Sequence, residues 1–335
     1  MADALVARVE AICGPVAVAT TAAPGDAARL ACSAAEQGVA RILVAGGDGT
    51  TGEVVTGLLS ARRLERPAER ASASSRPDPK GPPSLGLLPV GSGCDLARSL
   101  GLPRRLDAAL EVIAAGHLRP LDAGRVELLD RNGGHQVRYF ANELSAGLSG
   151  DTVNRVGGLS QTLGPRLGFL LGALSAVLTH QPFEASLEID GERVYEGPIS
   201  LLAVANGCYF GAGMRVAPGA AVDDGVFEVV LARALPRREI FAWLPAFYLG
   251  LHGRNPRVSF HAARSVALIP KAGEAAVEVD GEGGFTLPLR ITCLPGALRV
   301  HTPAATIPVM RSRPVQLARI APRVVAPLAL RREWD

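Results

Sequence analysis

Two stretches, VARILVAGGDGTTGEVV at residues 39–55 and SLGLLPVGSGCDL at 84–96, each run a short β-rich segment into glycines and straight on into a helical pattern. A strand that reverses into a helix over a few glycines fits a parallel sheet covered by helices. Two such turns, at the carboxyl ends of neighbouring parallel strands, face one crevice. Around them, residues 16–60 read as strand, loop, helix, strand, loop, helix: VAVAT, PGDAARLACSAAEQG, VARILVAGGDGT and GEVVTGLLSA. The helical pieces carry apolar residues at i, i+3 and i+4, and a further helix is expected around Asp107–Ala115. Residues 62–83 are Arg-, Ser- and Pro-rich without periodicity, which reads as a mobile loop with no function assigned.

After about Pro120 the pattern changes to short strands broken by Asn-Gly, Asp-Gly and Gly-Gly turns. That suggests an antiparallel sandwich, interrupted by helices near 159–180 and 237–251. The 335 residues therefore divide into an α/β domain at 1–120, a β-rich sandwich-like domain at 121–305, and a basic tail at 306–335 expected to be partly disordered. No internal repeat is visible.

The turn Gly46-Gly47-Asp48-Gly49-Thr50-Thr51-Gly52-Glu53 lets backbone N–H groups converge on an anion at a helix N-terminus, a phosphate cradle. Its formal GxGxxG match to a dinucleotide turn lacks the acidic residue a second strand should supply about 20 residues on. Only two lysines, Lys80 and Lys271, occur in the chain, and neither lies in a glycine turn. Phosphate chemistry here must then use backbone N–H groups, arginines or a metal. Asp48 inside the cradle makes sense if it faces a metal or a hydroxyl. The turn Gly91-Ser92-Gly93-Cys94-Asp95 repeats the design. The Asp-Gly turns at 218–225 and 279–282 place carboxylates at corners, and alone they read as hairpins.

Several function classes drop out. A net charge of +3 and 4% aromatic residues argue against nucleic acid as a partner. Five scattered cysteines without CxxC suggest neither disulfides nor zinc, and so a reduced, cytoplasmic compartment. No secretory signal is present, and the longest apolar runs are about a dozen residues, below the roughly 20 of a spanning helix. Six histidines without HExxH, and no GxSxG, leave metalloprotease and serine-hydrolase readings unsupported.

Seven ordered stretches, from Thr20-Thr21 with PGDAARLA through VAGGDGTTGEVV, LGLLPVGSGCDLARSLGLP, RPLDAGRV, FANELSAGLSGDTVNRV, ANGCYFGAGMRVAPGAAVDDGVFEVV and VEVDGE with PGALRVHTP, resemble the diacylglycerol kinase catalytic-domain family. That superfamily includes bacterial lipid kinases, sphingosine kinases and, more distantly, NAD kinases. The resemblance implies transfer of the ATP γ-phosphate to a hydroxyl of diacylglycerol or a related lipid alcohol, with Mg²⁺. Thr21, Gly46 to Glu53 and Gly91-Ser92-Gly93 fall at nucleotide positions. Asp48, Asp95, Asp122 and Asp224 match aspartates that organise a metal and water network in bacterial members. Asp224, with main-chain oxygens of Ala221 and Val226, would take the metal. Glu282 matches the proton acceptor, beside Asp280. The expected partners are a lipid alcohol and a peripheral membrane surface at the inner face, and a homodimer is allowed. Gly157–Pro182 and FAWLPAFYLGL are candidate acyl-chain surfaces or ordinary core helices.

The sequence departs from the family pattern in three places. A strand ending in Asn-Pro-x-Ser-Gly usually precedes the segment matching Val16. It is not present here, residues 1–14 look like the helix that follows it, and an exposed sheet edge is expected. Gly52 and Cys94 stand where Asn is usual, each losing an amide hydrogen bond worth roughly 1 kcal/mol, so weaker ATP binding is expected. A nucleotide- or lipid-binding regulator without turnover, and an NAD kinase, remain as alternatives.

Overall fold

The computed structural model describes residues 2–61, 83–91, 93–153, 165–273 and 275–304. Most of the loop assigned to 62–83, the helix start near 159 and the tail from 306 lie outside them.

The first layer begins with α1 (Ala2–Cys13) and α2 (Asp26–Glu36), followed by β1 (Arg41–Gly46), α3 (Asp48–Ala61), β2 (Ser84–Pro89), α4 (Asp95–Ser99) and α5 (Leu106–Ala115). β1 and β2 pair in parallel, with Gly46 opposite Pro89, so both glycine turns leave the sheet at the same edge. The apolar faces of α2, α3 and α4 bury Ala31, Val55, Leu58, Leu59 and Leu96 against Leu85 and Leu87 of β2. On the opposite face α1 and α5 close over Leu88 through Val9, Leu110 and Ile113. The expected strand at 16–20 does not form. Its alternation of Val and Ala satisfies a β pattern, yet the backbone there pairs with nothing in a sheet and Val18 is 61% exposed. β1 is the terminal strand of the sheet among the described residues.

The β-rich part contains β3 (Leu118–Asp130), β4 (His135–Phe140), β5 (Glu143–Gly147), α6 (Pro165–Thr179), β6 (Phe183–Ile189), β7 (Glu192–Ala205), β8 (Phe227–Arg233), α7 (Arg237–Leu249), β9 (Val258–Ala263), β10 (Ser265–Ala272), β11 (Ala276–Val279) and β12 (Glu282–His301). Within it, every strand pairing is antiparallel. β12 bends at an irregularity between Thr286 and Arg290, so its start pairs with β11 and its later part with β10. Through β6, β7 and β5 the strands close around a core of Phe140, Phe183, Leu187, Phe227 and Leu289. The last residues of β12 then run parallel to β2, with Arg299 opposite Ser84. One continuous set of strands therefore joins the α/β layer to the sandwich, and the crevice lies along that join.

Candidate active site

The two glycine turns touch backbone to backbone: a Cβ on Gly91 would lie 2.5 Å from the Cα of Gly47, so only glycine permits the approach. α3 already begins at Asp48, which places Thr50 to Glu53 on the first turns of the helix. The Thr51 hydroxyl donates to the Gly47 carbonyl at 3.0 Å and tightens the entry. Beside it, an open cleft is lined by Thr21, Pro24, Thr50 and Glu53. The loop carrying Thr21 is shaped by Asp26, whose carboxylate accepts from the N–H groups of Ala22 and Ala23 at 2.9 and 3.2 Å. Glu53 accepts from the N–H of Ala27 at 3.1 Å, tying α3 to the start of α2. Residues read as nucleotide-binding from three separate stretches thus meet in space; Ser92 lies outside the described residues.

Asp48 turns toward protein. One carboxylate oxygen accepts from the N–H groups of Asp95 and Leu96 at 2.8 and 3.3 Å and so caps α4 from across the crevice. This accounts for an acid inside an anion cradle without a metal or hydroxyl opposite that oxygen. Asp95 is 3% exposed, and burial first, then the Asp48 charge, pushes its pKa up to about 6. Between the two, Cys94 takes a left-handed backbone (φ 53°) and donates its thiol to the Gly91 carbonyl at 3.3 Å.

The turn Asp280-Gly281 closes the crevice from the sandwich side. Asp280 is buried, and its two oxygens accept three backbone N–H groups, from Ala141, Asn142 and Glu143 at 2.9, 3.0 and 2.9 Å. Burial still pushes its pKa up to about 7. Asp280 therefore anchors the turn, and the neighbouring Glu282 presents the solvent-facing carboxylate. The Glu282 pKa is raised by desolvation and by Glu53, against the pull of Arg138. Gly52 has a steric reason here: a Cβ at 52 would stand 2.8 Å from the Cβ of Asp280, so the glycine lets α3 and the turn meet.

Asp122, 1% exposed, ties the remaining loop. It accepts from the N–H groups of Gly225 at 2.7 Å and Gly296 at 2.6 Å, and its own N–H donates to the Val222 carbonyl at 2.7 Å. Arg119 grips Asp223 through two hydrogen bonds of 2.6 and 2.7 Å. The loop 221–226 is thus held from both sides while Asp224 stays exposed. Its candidate donors, one carboxylate and two main-chain carbonyls, are all hard oxygen, which suits a hydrated Mg²⁺. Among the described residues no group of three or more His, Cys, Asp or Glu side chains is arranged to hold a metal.

Sequence reasoning missed Glu143 and Glu278, both at least 96% buried. Alternation around Glu278 puts it opposite Val277 and Val279, the face usually wet in an antiparallel sheet. The helical segment at 148–153 covers that face, and its Ser149 donates to Glu278 at 3.0 Å. Arg119 also went unnoticed, since its partner lies about a hundred residues away.

On the outer side, α6 and α7 touch and expose apolar residues at matching i, i+3, i+7 positions, Leu171, Leu174 and Leu178 on one and Phe241, Leu244 and Tyr248 on the other. Arg238 and Arg254 are exposed on the same part of the chain. No helix among the described residues is long and apolar enough to cross a membrane.

A family profile described as the diacylglycerol kinase catalytic domain matches residues 2–126, and one described as the YegS C-terminal NAD kinase beta sandwich-like domain matches residues 142–302. A relative from Chromohalobacter salexigens named "Probable lipid kinase YegS-like" is 33% identical over 303 residues, covering 89% of this chain and 87% of its own. A relative from Bacillus subtilis named "Diacylglycerol kinase" is 30% identical, covering 81% and 80%. A crystal structure described as a diacylglycerol kinase from Bacillus anthracis superimposes with a TM-score of 0.62 at 21% identity over 91% and 93% of the two chains, a likeness of fold. With the glycine turns, the anchored Asp-Gly-Glu turn and the sandwich in one arrangement, the chain belongs to the diacylglycerol kinase and YegS-like lipid kinase family.

Proposed function

We propose that the chain transfers the γ-phosphate of ATP to a hydroxyl of diacylglycerol or a related lipid alcohol, in the crevice between the glycine turns and the 280–282 turn. The observation that carries this is the close approach of α3, which opens the nucleotide cleft, to the acceptor turn: a Cβ on Gly52 would stand 2.8 Å from the Cβ of Asp280. Residues 1–120 would hold the nucleotide and residues 121–305 the acceptor and metal.

Phosphoryl transfer asks for positioning, charge neutralisation and a base near the attacking oxygen. The phosphates would meet the N–H groups of Gly47 to Thr50 at the α3 N-terminus, and Thr21, Thr50 and Glu53 would fix the rest of the nucleotide. Lys271 is engaged with Glu196 on the sandwich, so it is not available to the crevice. Mg²⁺ held by Asp224 and the carbonyls of Ala221 and Val226 would supply the charge neutralisation that a lysine gives elsewhere. Glu282 would accept the hydroxyl proton, its raised pKa bringing it nearer the working pH. Asp280 holds Glu282 in place. Asp48, Asp95 and Asp122 position α4 and the metal loop. The paired apolar stripes of α6 and α7, flanked by Arg238 and Arg254, would rest on an anionic bilayer at the inner membrane face and bring the crevice to its lipid.

The test is Mg²⁺-dependent transfer from labelled ATP to diacylglycerol in anionic vesicles. Glu282→Gln is expected to lower turnover by about 10²- to 10⁴-fold with ATP binding retained. An unchanged rate removes Glu282 as the base. ATP binding without phosphorylation of any lipid alcohol replaces the kinase reading with a regulatory one.

A further inference from the structure

Glu143 and Glu278 have no part in the reaction above, yet they lie beside the turn that presents Glu282. Glu278 sits opposite Ser145 in the β5–β11 register, and both glutamates are buried. Every donor at Glu278 points toward it. Ser145 and Ser149 give their hydroxyls to Oε1 at 2.6 and 3.0 Å, and the N–H of Gly281 gives to Oε2 at 2.9 Å. Glu278 is therefore the accepting partner. Glu143, two residues from Ser145, lies on the same strand face, diagonal to Glu278 across the register, and both are buried. Two buried carboxyl groups placed this way are accommodated by sharing a proton, and with Glu278 already accepting three donors that proton falls to Glu143. The remaining oxygen of Glu143, Oε2, has no partner.

The charged groups acting on Glu143 are Glu278 and Asp280 on the β11 side and Asp95 from α4, all acidic, with Arg98 standing 3.7 Å from Asp95. Burial and these neighbours raise the Glu143 pKa well above the ordinary carboxyl value. The pair also brackets the catalytic turn. The Glu143 N–H donates to Asp280 at 2.9 Å, its carbonyl accepts the Asp280 N–H at 2.9 Å, and Glu278 holds Gly281.

We propose that Glu143 works as a protonated donor to Glu278, and that this acid–carboxylate pair is a positioning device for Glu282, locking the Asp280-Gly281 turn. Removing the proton at alkaline pH sets two buried charges against each other and releases the turn. The proposal rests on the reading of Glu282 as the base. It adds that the alkaline limit of turnover belongs to Glu143.

The experiment uses the full chain and three variants, Glu143→Gln, Glu143→Ala and Glu278→Gln. Infrared spectroscopy at neutral pH should show the carbonyl stretch of a buried protonated carboxyl that Glu143→Gln removes. In the vesicle assay, Glu143→Ala should lower kcat by at least about tenfold, with the KM for lipid little changed, because a buried acceptor loses its donor. The Gln amide can donate where the acid did, so Glu143→Gln should recover that loss and carry turnover to higher pH than the native chain. Glu278→Gln should resemble Glu143→Ala, since an amide N–H would face the donors at 145, 149 and 281. A Glu143→Gln rate no better than Glu143→Ala, or a native spectrum without the protonated carboxyl, overturns the proposal. If the native chain phosphorylates no lipid, the kinase reading fails, and the infrared result still decides where the proton resides.

Discussion

Replacing Asp122 by Asn exchanges an acceptor for a donor at a point where only acceptors fit. Its two oxygens receive the N–H groups of Gly225 and Gly296 at 2.7 and 2.6 Å, in a site 1% exposed. The Asn amide can accept only one of them and sets its own N–H against the other. Hydrogen bonds to a charged acceptor contribute about 1.5–3 kcal/mol each, so losing one removes about 1.5–3 kcal/mol. With an unfolding entropy of about 2.1 cal/mol/K per residue, that lowers the melting temperature by about 2–4 °C for 335 residues. The loop 221–226 should then be held less firmly, and the Mg²⁺ concentration for half-maximal turnover should rise. Circular dichroism melts and a Mg²⁺ titration of the lipid assay read both effects. Asp223→Asn is the control: its partly exposed ion pair with Arg119 contributes under about 1 kcal/mol. An Asp122→Asn chain melting within about 1 °C of the native one, with the same Mg²⁺ response, would refute the account of Asp122 as the tie between the loop and β12.

Gly93→Ala puts a Cβ 2.7 Å from the Asp48 carboxylate and should cost about 1–2 kcal/mol by disturbing the α4 cap, with weaker ATP binding by calorimetry. Cys94→Asn, at φ 53°, should raise the unfolding free energy by up to about 1 kcal/mol in a denaturant titration, because Asn tolerates the left-handed region better; a fall would show that the thiol bond to Gly91 matters more. Asp95 and Asp280 bind protons more tightly folded than unfolded, with pKa values of about 6 and about 7 against 3.8. Their contribution is therefore fully present below about pH 3.8, is lost as pH rises through about 6 and then about 7, and is gone above that. Denaturant unfolding across that range checks this, and Asp48→Asn should flatten the Asp95 part by removing a like charge. A Leu174→Asp, Phe241→Asp double variant should lose sedimentation with anionic vesicles while keeping its melting temperature, since both side chains are about 40% exposed.

The glycine turns were legible because their chemistry is local: strand, glycines and helix start lie within a dozen residues. The Asp280-Gly281 hairpin was legible for the same reason, as was the change of class near residue 120. Val16–Thr20 misled, since alternation signals a strand only where a neighbour supplies the other half of the ladder. The capping role of one Asp48 oxygen was not legible, because its partners, the N–H groups of Asp95 and Leu96, are backbone atoms that leave no trace in residue type. Glu143 and Glu278 were invisible for a related reason: their burial depends on a helical cover contributed by another stretch of chain.

The parallel contact between β12 and β2 also sets an order of events during synthesis. Ser84 cannot meet Arg299 until nearly the whole chain has emerged, on the order of ten to forty seconds later at typical elongation rates. Until then β2 offers an unsatisfied strand edge and the glycine turns rest on half a sheet. A fragment ending near residue 120 is therefore a candidate for aggregation rather than an independently folding nucleotide module, and the last strand made is the one that completes the first layer laid down.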